Sequence, residues 1–378
     1  MSKSYIKLGE LASYINGYAF KPKDRGSEGL PIIRIQDLTG SSNDKGFYKG
    51  TYPSKIEINN GDVLISWSAS LGVYVWNNGK ALLNQHIFKV VFDKGEIDKD
   101  YFVYAVQFSL HRMRQLTHGA TMKHVVKKDF ENVLIPYPSL KDQRKVAHVL
   151  DKLKESINKK MDELKKLDEL IKARFVEMFG DPFNNQKKFN MVKLGDIAEL
   201  ISGGTPSRKN MRFYNGNIPF ITTVALGHTY IESKHAQDFI TIEGVKNSST
   251  KIIRKNTLLV GSRVGVGKTS ITDTDVAINQ DIVALNNIDL QSYDLFYLKA
   301  VLDKYQYYFD LQKRGATIKG ITAKIIKQVQ IPVAPIELQE DYHYFVQQVD
   351  KSKFENIVYL NKTLSSKILS QLGDAIRD

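Results

Sequence analysis

The residues best placed by type to do chemistry form one stretch, GSRVGVGKTS, at 261–270. A glycine-rich run ending in Gly-Lys-Thr is close to a phosphate-cradling loop. In such a loop backbone N–H groups hold a nucleotide's phosphates and the lysine reaches the outer ones. The spacing departs from that pattern. Counted back from Gly267-Lys268-Thr269, the pattern G-x-x-x-x-G-K-[ST] needs a glycine at 262, where Ser262 stands; the glycine is one place early. The context departs further. A phosphate loop follows a strand and opens a helix whose N-terminus faces the anion. TLLV at 257–260 suits the strand, but SITDTDVAINQDIVAL follows, rich in Thr, Val and Ile with Asp and Asn as breaks. That composition predicts more strand and turn, so the stretch reads as a glycine-rich turn between two strands.

Other chemical signatures fail in the same way. DPF at 181–183 is close to the [DNS]-P-P-[YFW] loop of amino-methyltransferases, but it has one proline and follows a helical pattern. No glycine-rich cofactor loop accompanies it. The eight histidines show no H-E-x-x-H or similar ligand spacing, and no G-x-S-x-G elbow is present. The chain has no cysteine, which removes disulfides and thiolate catalysis. No catalytic residue, metal ligand or cofactor site is assigned to this chain.

The elements that must position any binding residue follow from length, charge and repetition. A chain of 378 residues with 42% hydrophobic content can build two or three domains. No apolar run approaches the roughly 20 residues that span a bilayer, and MSKSYIKLGE lacks the apolar centre of a signal peptide. A cytoplasmic protein without a membrane partner is expected. The net charge of +13 is concentrated in residues 1–140 and 181–336. A basic domain points to a polyanion, with nucleic acid the first candidate.

The chain repeats itself. KLGELASYINGYAFKP, from Lys7, returns as KLGDIAELISGGTPSR, from Lys193. LPIIRI returns as IPFITT, GDVLISWSASLG as KNTLLVGSRVG, and LNQHIFKV as INQDIVAL. HGATMKHV returns as RGATIKGI, and VLIPYPSLKDQ as VQIPVAPIELQ. A period this long is a duplicated domain, not a solenoid repeat of about 20–50 residues. The lysine of the glycine-rich turn has no counterpart in the first copy, so a phosphate cradle is not a shared feature.

Each copy predicts a short amphipathic helix (LGELASYI, LGDIAELI), short strands broken by Gly, Asn and Asp, and a helix near 101–116 or 295–312. Each then has Ile-Pro and a second proline, expected to stop regular pairing, followed by a long helix. In the first long helix one heptad series holds Leu150, Ile157, Leu164, Ile171 and Met178; the paired series holds Leu153, Lys160, Leu167 and Arg174. This sustained 3.5-residue period marks a coiled-coil seam. The second is looser: Val346, Val349, Ile357, Leu360, Leu364, Ile368 and Leu372. With one such helix per copy, each is the other's simplest partner. The expected division is 1–140, a first β-rich domain; 141–180, its helix; 181–336, the second domain; and 337–378, the second helix.

A duplicated basic β-rich domain, each copy followed by a long heptad helix, resembles the specificity subunit of a type I restriction–modification system. The residues that carry the resemblance are KLGELASYINGYAFKP, LPIIRIQDL, GATMKHV with IPYP and Gln143, LDELIKARFVEMFGDP, and LQEDYHYFVQQVDKSKFE. It implies an α+β fold of two tandem target-recognition domains whose helices pair as an antiparallel coiled coil. It implies that each domain reads half of a split, asymmetric sequence in double-stranded DNA. The helices would hold the domains apart and dock two modification (methyltransferase) subunits, with translocating restriction subunits joining the complex. The chain would be non-catalytic, and S-adenosylmethionine, ATP and Mg would belong to the partner subunits.

The family's base-reading residues vary, so candidates come from chemistry. Lys and Arg hold phosphates; Arg, Lys, Asn, Gln and Ser read base edges. The glycine-containing turns nominate Ser66, Trp67, Ser68 and Ser70 in the first domain, and Ser262, Arg263 and Lys268 in the second. The loops after the opening helices nominate Lys21, Lys23 and Arg25, then Arg208, Lys209 and Arg212. Lys123 and Lys319 occupy equivalent places in GATMK and GATIK. A solvated surface charge explains each cation equally well, and Trp67 equally suits a core. Two other readings stay open: a self-contained restriction–methylation enzyme or nucleotide-binding protein, and a coiled-coil scaffold without a DNA role.

Overall fold

The structure, a computed structural model, describes residues 4–42, 44–68, 70–115, 125–315 and 319–363, with backbone alone at 111–115 and 361–363. Two compact units emerge: Met1–Lys160 with Tyr359–Asp378, and Met161–Val358.

In the first unit the opening KLGEL forms a single helical turn, Leu8–Leu11. The sequence predicted a longer helix through Ile15. Instead Ala12 is extended, and Ser13–Asn16 is a strand paired antiparallel with Ile87–Val91. Ladder pairing and burial of Tyr14 override the local helical period, as tertiary context commonly does. That strand opens a four-stranded sheet, continuing through Ile87–Val91 and Val63–Ser66 to Gly72–Val75. A second four-stranded sheet pairs Leu30–Ile33 in parallel with Ala81–Leu83, flanked by Phe47–Tyr48 and Glu57–Ile58. The core between the first sheet and the helix Lys99–Gln115 is built on Leu8, Leu11, Tyr14, Phe88, Phe102 and Phe130. Each fully buried side chain of this kind contributes about 1.5–3 kcal/mol.

The second unit repeats the plan. Leu194–Ile197 is again one turn, and Glu199–Ser202 is a strand on Ile282–Asn286. The sheet runs on through Leu258–Gly261 and Thr269–Thr272 and gains a fifth strand, Tyr230–Ile231. Tyr214–Ile221 pairs in parallel with Val276–Ile278, as the first copy's equivalents do. Leu295–Lys304 and Gln306–Gln312 split the helix that is continuous in the first unit.

The prolines were expected to stop pairing, and here the structure differs. Pro136 lies in a strand, Leu134–Pro136, aligned with Tyr5; Pro332 lies in Gln330–Val333, aligned with Met191. Both ladders have only two strands, so the missing N–H faces an edge and removes no rung. The second proline of each pair stands just before the long helix, which spans Leu140–Phe179 in one copy and Ile336–Thr363 in the other.

The long helices run antiparallel. Within the second unit the Arg174 guanidinium lies 5.8 Å from the Phe345 ring centre, and Lys353 Nζ lies 2.7 Å from Asp168. Within the first, Lys160 Nζ is 5.7 Å from the Tyr359 ring centre. As residue numbers fall along one helix they rise along the other. On the first helix Leu150, Leu153 and Met178 are buried, and Ile157, Lys160, Leu164, Leu167, Ile171 and Arg174 are half-buried, as the heptads predict. On the second, Val346 and Val349 are buried and Leu360 half-buried, but Ile357 is 45% exposed. Its looser period drifts off the seam. Leu364, Ile368 and Leu372 lie outside the described residues.

Candidate nucleic-acid interface

The glycine-rich stretch is a hairpin turn. Leu258–Gly261 and Thr269–Thr272 pair antiparallel on either side of it, and no helix follows. Gly261 and Lys268 are joined by an N–H···O bond of 2.9 Å, and Gly267 N–H donates to Gly261 O at 2.8 Å. Gly265 and Gly267 have φ of 70° and 76°, the left-handed region where a side chain is strained. A Cβ at 267 would also stand 2.9 Å from Phe309. Val266, between them, is buried in the core, so the turn is anchored from below. Its tip presents exposed Arg263, Val264 and Lys268.

Two distant segments fix this turn. Ser262 N–H donates to Asp281 O at 2.8 Å, and Ser262 O accepts from Ile321 N–H at 2.7 Å. Arg263 pairs with Asp281 at 3.4 Å. A third loop joins through Thr205, whose hydroxyl donates to Gln280 Oε1 at 2.5 Å. The bridge Arg314–Gly320 closes a loop beside them that carries exposed Lys319.

The first unit holds its turn by the same bonds. Trp67 N–H donates to His86 O at 3.1 Å, and Trp67 O accepts from Val125 N–H at 2.9 Å. Ser66 Oγ donates to Ser70 O at 2.5 Å across the turn.

Several nominated side chains are buried or already have partners within the fold. Ser66, Ser68 and Ser262 are buried, and at Ser66 the hydroxyl is spent on the turn itself. Trp67 is half-buried and stacked on Phe88 at 5.7 Å, which makes it chiefly core. Arg25 is held by Asp44 at 2.8 Å, with its guanidinium against Gly46. Arg208 pairs with Asp238 at 2.5 Å and lies over the Tyr214 ring. Lys21, Lys23, Ser70, Lys209, Arg212, Arg263, Lys268 and Lys319 are exposed. Arg212 N–H is taken by the Asn210 cap, leaving the side chain outward. Lys123 lies outside the described residues. Sequence reasoning passed over Gln85, His86, Thr205, Gln280 and Asp281, although the repeat LNQHIFKV/INQDIVAL marks four of them.

Each unit also has a buried glutamine clamp. Gln143 Oε1 accepts from Asp98 N–H at 2.9 Å while its Nε2 donates to Pro138 O at 2.9 Å. Gln339 does the same with Asp294 (2.9 Å) and Ala334 (2.8 Å). Tyr101 and Tyr297 donate to Pro136 O and Pro332 O at 2.9 and 2.7 Å. Burial pushes the Tyr101 phenol up to about 12, with Tyr5 adding a smaller rise, so this bond persists at any ordinary pH. Among the described residues no helix is long and apolar enough to cross a membrane.

Comparison with known proteins fits this double plan. The type I restriction modification DNA specificity domain matches residues 3–167 and again 186–369. The type I restriction enzyme EcoBI specificity subunit of Escherichia coli is 26% identical over 169 residues, 44% of this chain and 35% of its own length. The MjaVIII specificity subunit of Methanocaldococcus jannaschii is 28% identical over 201 residues, 51% of this chain and 46% of its own. The matched part thus spans less than half the length of these curated relatives. The crystal structure of a type I restriction-modification S subunit from M. genitalium superposes with a TM-score of 0.56 at 15% identity, over 97% of this chain and 94% of that one. At that identity it shows a shared fold.

Proposed function

This chain belongs to the type I restriction–modification DNA specificity family, and on that premise we propose that it is the non-catalytic subunit that recognises a two-part DNA target. Each unit reads one half-site in double-stranded DNA. Exposed lysines and arginines hold phosphates and set the register, while the turn side chains read base edges. The paired long helices dock two modification subunits, and restriction subunits join the assembly. S-adenosylmethionine, ATP and Mg are used by those partners.

One observation carries the reading. The same backbone bonds fix the same turn in both units, yet its outward side chains differ: Ser70 in one, Arg263 and Lys268 in the other, with His86 against Asp281 beside it. One scaffold carrying two sets of side chains is what an asymmetric, bipartite target requires. The excess positive charge of both domains suits the phosphate term, which dominates affinity and weakens with salt.

The test is methyl transfer from S-adenosylmethionine to host genomic DNA. The chain alone is expected to be inactive; with its modification subunit it is expected to direct methylation to one split motif. Activity of the isolated chain would favour a self-contained enzyme. Sequence-blind methylation by the pair would favour a scaffold.

A further inference from the structure

We propose that Gln85 and Gln280 read the same base in the two half-sites, each making a paired donor–acceptor contact with the major-groove edge of an adenine. This rests on the DNA-reading function above.

The two units diverge at the exposed positions around the turn but keep Asn-Gln unchanged at 84–85 and 279–280. The asparagine has a local explanation. Asn279 Oδ1 accepts from Asp281 N–H at 3.2 Å, and Asn84 Oδ1 from Gln85 N–H at 2.9 Å. The glutamine side chain has no such shared explanation. It is exposed in both units. In the second unit Thr205 bonds to its oxygen, but the matching residue of the first unit is Ala19, which has no hydroxyl. What the copies share is an outward primary amide.

The backbone holds that amide in the same place twice. Gly17 N–H donates to Ile87 O and Gly203 N–H to Ile282 O, at 3.1 and 3.3 Å. Both glycines let the incoming strand pass the Asn-Gln turn. A Cβ would stand 2.0 Å from Asn84 O in one unit and 2.3 Å from Asn279 O in the other. The amide is therefore carried on a fixed turn, beside the residues that differ between units: Asp281 next to Gln280 contacts Arg263, and His86 next to Gln85 contacts Trp67.

Chemistry selects the base. A primary amide offers an acceptor and two donors in one plane. That matches adenine, which shows N7 as acceptor and N6–H as donor in the major groove; guanine shows two acceptors there. An amide kept in both units while its neighbours change fits a base common to both halves.

The experiment uses the full chain with its modification subunit and duplexes carrying the methylated motif mapped in the host genome. Gln280→Ala is expected to lower the preference for adenine at one second-half position by about tenfold or more, leaving the first half unchanged. Gln85→Ala is expected to do the reverse. Gln280→Glu, of nearly the same shape, is expected to favour cytosine there, whose N4 donates to a carboxylate. It serves as the second variant if alanine disturbs the fold, checked by melting temperature. A uniform loss over all sequences with a shallower salt slope would overturn the base contact in favour of a phosphate contact. Unchanged preference in both variants would overturn it outright. If the wild-type complex itself shows no motif, the DNA-reading function falls instead.

Discussion

The two units differ most where they are most alike in backbone. In the first, the turn is backed by an indole: Trp67 packs on Phe88 and meets His86 edge-on at 4.9 Å. In the second, a small buried Ser262 holds the equivalent place, and the adjoining side chains are the ion pair Arg263–Asp281. The backbone bonds to 86 and 125 in one unit, and to 281 and 321 in the other, are the same. Frame and surface have been decoupled. Ladder bonds and the backbone bonds to two distant segments fix where the turn stands in each unit, so the outward residues are not the ones that hold it. A recognition domain needs this property, because a surface that must vary cannot also carry the stability.

The comparison breaks first if the halves are not independent. Replacing residues 1–140 with those of a relative is expected to change one half of the methylated motif and leave the other. Each altered base pair contributes about 1–3 kcal/mol to the discrimination, roughly additively. Methylation mapping reads the outcome, and a change in both halves would show that the units do not read separately.

Packing gives the next largest effect. Phe179 is buried in the second unit's core, 4.6 Å from the Tyr297 ring. Phe179→Ala is expected to destabilise that unit by about 3–5 kcal/mol. Calorimetry should show the transition that contains Tyr297 moving while the other holds.

The clamps sharpen the likeness. Gln143→Ala and Gln339→Ala each strand the N–H of an aspartate before a helix, at a cost of about 1–3 kcal/mol. Gln339 also donates to Ser292 O at 3.2 Å, so its loss is expected to be the larger. Denaturant titration of the two variants, compared for rank, checks this.

Arg263→Ala is expected to have the smallest effect, about 1 kcal/mol of discrimination at one base of the second half, the low end for a base contact. Asp281 already engages the guanidinium. Competition binding against single-base variants measures it, and unchanged affinity at every salt concentration would remove Arg263 from the interface.

The turn shows how far the residues alone could be read. The offset of one position between Gly261 and the expected glycine at 262, with strand-forming residues after it, is enough to place a turn between two strands there. The heptads of 150–178 were enough to place a seam, because a period of 3.5 is a local property of one helix. At Ile357 the same argument failed, since a loose period leaves rotation about the helix undecided until a partner is present. The opening helices were overextended for a related reason. Their second halves have both an apolar helical face and strand-forming residues, and only the distant strand at 87–91 or 282–286 selects between them.

The sequence by itself determined that the domain is duplicated, that each copy ends in a long helix, and that no phosphate loop or metal spacing is present. Identity at fixed offsets and short-range spacing are written along the chain. Only the tertiary structure decided which nominated residues face outward. Ser262 is buried because segments near 281 and 321 close over it, and Arg25 is occupied because Asp44 lies 2.8 Å away. It also decided that Pro136 and Pro332 continue a ladder, and that Gln143 and Gln339 are clamps. Each of these depends on a partner distant in sequence, as Pro136 depends on Tyr5 and Pro332 on Met191, and exposure is set by what packs there, which no local period encodes.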